Sequence, residues 1–275
     1  ALDPTRLAAD RAALRAAASL ADPDARRIVL AREWADEGLS RAARSVLAEI
    51  PDAALYAPLA RNEAARLRWL GGDAAGALAD IGQAVERYPN VAELRRTQLT
   101  IAVANGDLAT AEAALVAAVR ADGRSADNYV ASAALEVANQ NYNGAAAAYA
   151  AAIQTAAVTG TYQLQAASFY VAVPLRVCSD GRSYAEQAIG SSVDAAARRL
   201  SAQLALRCND PTAAISLTAP LLSQLPNDPQ LLYLRGAARW QLGQREAATA
   251  DLEAVANRAP GSQWMREAER LIGKP

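Results

Sequence analysis

Gly38, Gly72 and Gly106 stand 34 residues apart, Gln140 lies 34 further on, and Asn209 and Gly243 are again separated by 34. Five residues after each comes a small one: Ala43, Ala77, Ala111, Ala145, Ala214 and Ala248. Four later comes a bulkier one, Leu47, Ile81, Leu115, Tyr149, Thr218 or Leu252, with Thr218 the weakest member. Pro89, Pro226 and Pro260 share a closing position, where the third unit has Gly123. Alanine is abundant here, so a single match carries little. Six in phase make the chain an array of like units.

The stretch 227–260 shows what the spacing does. Asn227-Asp228-Pro229 supplies a cap candidate and then a proline suited to a first helical turn. Gly243 follows Leu242 where the first helix ends, and glycine takes the left-handed conformation of a helix end at little cost. Pro260 stops the second helix, because it lacks an N–H and disfavours helix in the residue before it. Small residues at Gly236 and Ala248 let the two backbones approach where the helices cross. Gly236, Gly243, Ala248, Leu252 and Pro260, spaced by 7, 5, 4 and 8, resemble one tetratricopeptide repeat, a helical hairpin of about 34 residues. The resemblance covers about 24–262 and implies an all-α solenoid of about seven repeats in a right-handed superhelix, with extra helices capping both ends.

Residues 1–23 read as an N-terminal capping helix over 4–20, with Asp3 as its cap. Ile28 and Trp34 are expected inside the first repeat. The fifth repeat, about 160–194, is irregular: its turn is expected at Ser179-Asp180-Gly181 and not at the register position, Pro174. A long first helix over about 162–176, kinked or ended by Pro174, and a short second one over about 183–189 follow. Asp194 is the expected N-cap of the next helix. Residues 263–275 form a C-terminal capping helix and tail, whose polar face carries Arg266, Glu267, Glu269 and Arg270, as a terminal repeat requires.

The composition, 52% apolar but only 5% aromatic, suits close-packed helices. A net charge of −1 gives no bulk drive toward nucleic acid or anionic lipid. No apolar run approaches 18 residues, so no membrane span is expected. Ala1-Leu2-Asp3-Pro4 does not read as a secretory signal, and a leader already removed would leave no trace. The chain has no histidine, which excludes Ser-His-Asp and Cys-His catalysis and histidine metal sites. There is no phosphate loop, dinucleotide fingerprint or D-x-D-x-D-G calcium loop. The pairs Asp122/Asp127 and Asp22/Asp24 read as solvated caps ahead of acid–base pairs. No cofactor and no metal are therefore expected, and a carboxylate-dependent enzyme is the one catalytic alternative.

Cys178 and Cys208 each end the first helix of adjacent repeats, five and six, so repeat register brings them near each other. A disulfide would staple the irregular repeat to its neighbour and imply an oxidising compartment. The alternative is two buried reduced thiols.

The resemblance also implies a groove lined by the first helices. Carried over position by position, it selects Arg32, Asn62, Arg66, Trp69, Arg96, Arg199, Gln203, Tyr233 and Trp240. Arg32, Arg66 and Arg96, with Asn62 and Trp69, suit a carboxylate or acidic peptide, because arginine offers a bidentate fork. The alternative is a solvated face with internal pairs to Glu33, Glu63 and Glu93. Tyr233 and Trp240 either anchor a peptide or pack against the C-terminal helix carrying Trp264. The family's chaperone-binding branch uses groove lysines, whereas the one lysine here, Lys274, lies outside the repeats. The expectation is a non-catalytic scaffold that binds a protein or peptide, an acidic or C-terminal segment included, in the periplasm or at the outer membrane of a bacterium. The rivals are a segment of a larger envelope assembly, such as an exopolysaccharide export system or surface receptor complex, and a cytoplasmic protein if the thiols are reduced.

Overall fold

Each register residue closes its helix in the same way. In the second repeat the N–H of Gly72 donates to the Trp69 carbonyl at 2.9 Å, and that of Asp73 to the Arg68 carbonyl at 3.2 Å. This paired closure needs a left-handed residue at its hinge, and Gly72 supplies it with φ at 91°. Where the next residue is an aspartate, it then caps the following helix. The Asp73 carboxylate accepts from the Gly76 N–H at 2.9 Å, Asp107 from Thr110 at 3.1 Å, and Asp210 from Ala213 at 3.1 Å. The backbone N–H of Gly76 and the Arg68 guanidinium hold Asp73 below the ordinary carboxylate range. A three-residue turn thus ends one helix and starts the next.

These turns appear in a computed structural model that describes residues 20–173 and 175–273. The N-terminal helix over 4–20 and its cap Asp3 lie essentially outside the described residues, as does Pro174. The chain divides into two compact units, Ala1–Ala148 and Tyr149–Pro275.

In the first unit the hairpins pair α1 (Pro23–Asp36) with α2 (Ser40–Ala48), α3 (Ala57–Leu70) with α4 (Ala74–Arg87), and α5 (Ala92–Ala104) with α6 (Leu108–Asp122). α7 (Ala126–Ala138) follows, and α8 (Tyr142–Thr155) spans the boundary between units. Asp22 caps α1 by accepting from Asp24 and Ala25. Ile28 is buried, and Trp34 packs against it, as expected.

The second unit continues with α9 (Gly160–Ala172), a π turn at Val177–Gly181 and α10 (Arg182–Gln187). Then come α11 (Asp194–Arg207), α12 (Pro211–Gln224), α13 (Pro229–Gln241), α14 (Arg245–Arg258) and α15 (Gln263–Ile272). The architecture is an all-α helical-repeat solenoid, and no strand occurs among the described residues.

The small residue of each hairpin lies at its centre: Ala43, Ala77, Ala111, Ala145, Ala214 and Ala248 are all fully buried. Leu47, Ile81 and Leu252 are fully buried beside them. Burying such a side chain contributes about 1.5–3 kcal/mol. Thr218 is also buried, and its hydroxyl donates to the Ala214 and Ile215 carbonyls at 3.0 Å, so no polar atom there goes unpaired. Gly236 marks a close approach of the two helices, since a Cβ on it would meet Leu252 at 2.9 Å and Asp251 at 3.1 Å.

Two details of the irregular repeat differ from expectation. α9 stops at Ala172 and does not run on to Arg176. Val173 precedes a proline, which disfavours helix, and is extended at φ −110° and ψ 121°. Asp194 is the first helical residue and not the cap; its carboxylate instead accepts from the Gly190 N–H and the Arg198 guanidinium, both at 2.8 Å. The second segment, α10, has 6 residues, against 14 in α4, α12 and α14. Ala167 and Ala185 cluster with Leu204 in its core, and Ala166, Phe169, Tyr170 and Ala188 are buried as well. A disulfide joins Cys178 in the π turn to Cys208 at the end of α11, with Cα atoms 5.5 Å apart. Closing 30 residues of chain contributes about 3–4 kcal/mol in the loop-entropy account.

The register residue is left-handed even where it is not glycine: Gln140 has φ 59° and Asn209 φ 58°. That conformation costs an ordinary L-residue about 1–2 kcal/mol, and glycine's extra chain entropy returns part of it. Gln140→Gly is therefore expected to raise stability by about 0.5–1 kcal/mol in urea unfolding, and Asn209→Gly by less, because asparagine tolerates this region. A loss of stability in Gln140→Gly would show that its side chain holds the turn.

Candidate functional site

The first helices of the first unit carry the expected binding residues at equivalent heights. Arg32 on α1 and Arg66 on α3 occupy the same repeat position. Glu63 bridges them, Oε1 to Arg32 Nη2 at 2.7 Å and Oε2 to Arg66 Nη1 at 3.4 Å. Both arginines remain about half exposed, at 53% and 48%, while the Glu63 side chain is at 11%. They line a cleft of about 460 Å³ with Asp36, Ser40, Leu67 and Leu70. Leu70 is exposed. The cleft therefore offers two reachable guanidinium edges beside an apolar wall.

The other expected residues divide differently. Asn62 is 2% exposed and lies under this face, not on it, a correction to the groove position. It falls at the buried edge of α3 beside Glu63. Trp69 is half-buried against the cluster of Ala65, Ala77 and Ile81. Arg96 is also corrected as a groove donor: its side chain is 16% exposed and already engaged. It donates to Asp122 at 2.9 Å, to Glu93 at 3.0 Å and to the Asn128 side-chain oxygen at 3.2 Å. Of the expected internal acids, Glu63 and Glu93 pair with these arginines, whereas Glu33 makes no ion pair among the described residues.

In the second unit, Arg199 is held by both Asp228 oxygens at 2.9 Å and by the Gln230 side chain at 3.2 Å. Gln203 is half-buried one turn further along α11. The Tyr233 ring packs on Trp264 of α15 with centroids 5.4 Å apart. Arg245 covers the Trp240 ring at 3.9 Å. Both aromatics thus already have partners within the unit.

Two polar contacts escape a reading of the sequence by repeat position. Arg68 pairs with Asp80 at 2.9 Å and Arg239 with Asp251 at 2.8 Å, each 12 residues apart across one hairpin. Arg235 adds a two-pronged bond to Asp251, at 2.9 and 2.7 Å. The signal is nonetheless present: an arginine four before the register glycine and an aspartate eight after it, in both repeats.

Among the described residues no cluster of histidine, cysteine and carboxylates is placed to hold a metal ion. No helix described is long and apolar enough to cross a membrane.

Neither a protein-family model nor a curated protein matches the sequence. Among solved structures the fold is similar to yeast Tom70, with TM-score 0.69, 14% identity, and 98% of this chain and 59% of that one covered. It is also similar to PilW, described as a widely conserved type IV pilus biogenesis factor, with TM-score 0.61, 15% identity, and 78% and 99% covered. YrrB, described as a TPR protein with an unusual peptide-binding site, matches with TM-score 0.53, 18% identity, and 69% and 97% covered.

Asp251 is 5% exposed and balances two guanidiniums. Removing one partner from such a group costs more than the pair's net worth, because charge is left uncompensated. Asp251→Ala is expected to lower stability by about 2 kcal/mol, and Asp80→Ala by clearly less, since the Asp80 side chain is 39% exposed. Equal losses, compared by chemical denaturation, would refute this ranking.

Proposed function

We propose that this chain, which folds as a tetratricopeptide-repeat solenoid, is a non-catalytic scaffold that docks a segment of a partner protein on the first helices of its N-terminal unit. The observation that carries the reading is the Arg32–Glu63–Arg66 cleft. Its two guanidiniums are about half exposed, and the adjoining Leu67 and Leu70 offer an apolar wall. A partner carboxylate reaching the cleft gains two charge-assisted partners. A carboxylate of an acidic stretch or of a chain terminus fits equally. A preformed cleft also limits the ordering cost on the receptor side.

A photo-crosslinking residue at Leu70 is expected to capture a discrete protein in the native host, and one at Ala79, exposed on α4, is not. The double variant Arg32→Ala/Arg66→Ala is expected to weaken that capture about ten-fold, equivalent to about 1.4 kcal/mol. Capture that is absent at 70, or unaltered by the arginine changes, sinks the cleft reading.

We place the protein in an oxidising compartment of the cell envelope, on the support of the Cys178–Cys208 disulfide. Thiol titration of denatured protein, alkylated at lysis of the native host, is expected to find no free thiol. Two thiols per chain would move the protein to the cytoplasm.

A further inference from the structure

The third repeat closes through Gly123 where the second and sixth have Pro89 and Pro226, and an apolar position that is buried in those two repeats is left open here. After α4 and α12 the chain leaves the helix through Tyr88, at φ −124° and ψ 65°, and Leu225, at φ −126° and ψ 67°, just before Pro89 and Pro226. After α6 it leaves through Gly123, left-handed at φ 63°. The apolar residue thirteen after the register residue is Val85 in α4 and Leu222 in α12, and both are buried. Its counterpart in α6 is Val119, which is 40% exposed, and Val116, nearly one turn earlier, is 51% exposed.

Beside Val119, between α6 and α7, lies a slot of about 190 Å³ walled by Leu115, Tyr129, Ser132 and Arg124. A void of about 150 Å³ with apolar walls admits a benzene ring, so the slot has room for one large apolar side chain.

Two arginines at its rim stand outside the ion-pair cluster of Arg96. Arg96 draws in the neighbouring acids, Glu93, Asp122 and Asp127. Arg120 and Arg124, on either side of Asp122, are exposed. Neither is in an ion pair among the described residues. Val116 and Arg120 stand four apart and so share one helix face.

We propose that this slot is a second docking site, for a partner segment that presents one large apolar side chain with acidic residues next to it. The side chain fills the space above Val119 and Leu115, and the acids meet Arg120 and Arg124. The site is separate from the Arg32–Arg66 cleft and does not depend on it.

Two fluorescein-labelled peptides test this against the full chain by anisotropy. One has a phenylalanine flanked by two glutamates on each side, and the other has lysines in their place. The glutamate peptide is expected to bind at least ten-fold more tightly. Val119→Asp and Arg124→Glu are each expected to weaken it about ten-fold, with thermal melts confirming the fold, and Arg32→Ala/Arg66→Ala is expected to leave it unchanged. Equal or absent binding of the two peptides, or an unaffected Val119→Asp variant, overturns the proposal. A dimer in light scattering that Val119→Asp dissolves also overturns it, and assigns the slot to a second copy of the chain.

Discussion

The close approach of two helices over a buried alanine is the contact on which every hairpin here rests. Ala43, Ala77, Ala111, Ala145, Ala214 and Ala248 have no exposed surface. A larger side chain at any of them would wedge the hairpin open, and overpacking of this kind typically costs about 1–3 kcal/mol. The left-handed turn five residues earlier serves that contact. It closes one helix, caps the next and sets the two backbones facing each other. Each hairpin still has an apolar outer edge that a neighbour must cover, so repeats gain stability by stacking.

The fifth repeat shows what happens when the second helix is too short for this scheme. α10, with 6 residues, cannot present the long apolar edge that α4 or α12 does. The deficit is met by other means. The Cys178–Cys208 bridge, the Arg182–Asp210 ion pair at 2.8 Å and the bond from Arg207 to the Val171 carbonyl at 2.8 Å all tie this repeat to the sixth. Tyr170 fills the space above Gly181, where a side chain's first carbon would come within 2.6 Å of the Tyr170 Cβ. The pKa of the Tyr170 phenol is pushed up to about 12 by burial and by Asp180.

The fold is legible in the sequence because a periodic backbone constraint leaves a periodic trace. Gly38, Gly72, Gly106 and Gly243 announce the turns, and Gln140 and Asn209 are found by their phase alone. The disulfide can be anticipated from register, since equivalent ends of adjacent repeats are neighbours. The candidate binding face is legible only in part. Repeat position finds which side of a helix a residue is on, and Arg32 and Arg66, at one repeat position, do line a common cleft. It does not find how deep a side chain sits or which acid reaches it. Asn62 and Arg96 hold the same repeat position, yet one is buried and the other is saturated by three partners. For Arg96 the outcome depends on neighbours 26 and 32 residues away in sequence.

The Arg68–Asp80 and Arg239–Asp251 pairs have a consequence for how such an array changes over time. Each pair lies wholly within its own hairpin, so the repeat carries its polar fastening with it when it is duplicated or moved. Arg199, by contrast, lies on α11 and is paired with Asp228, the cap of α13 in the next repeat, so a cut between them leaves a charge on both sides. The pairs inside the second and seventh hairpins thus travel with those repeats, whereas the Arg199–Asp228 pair has to be broken wherever the sixth repeat is parted from the seventh.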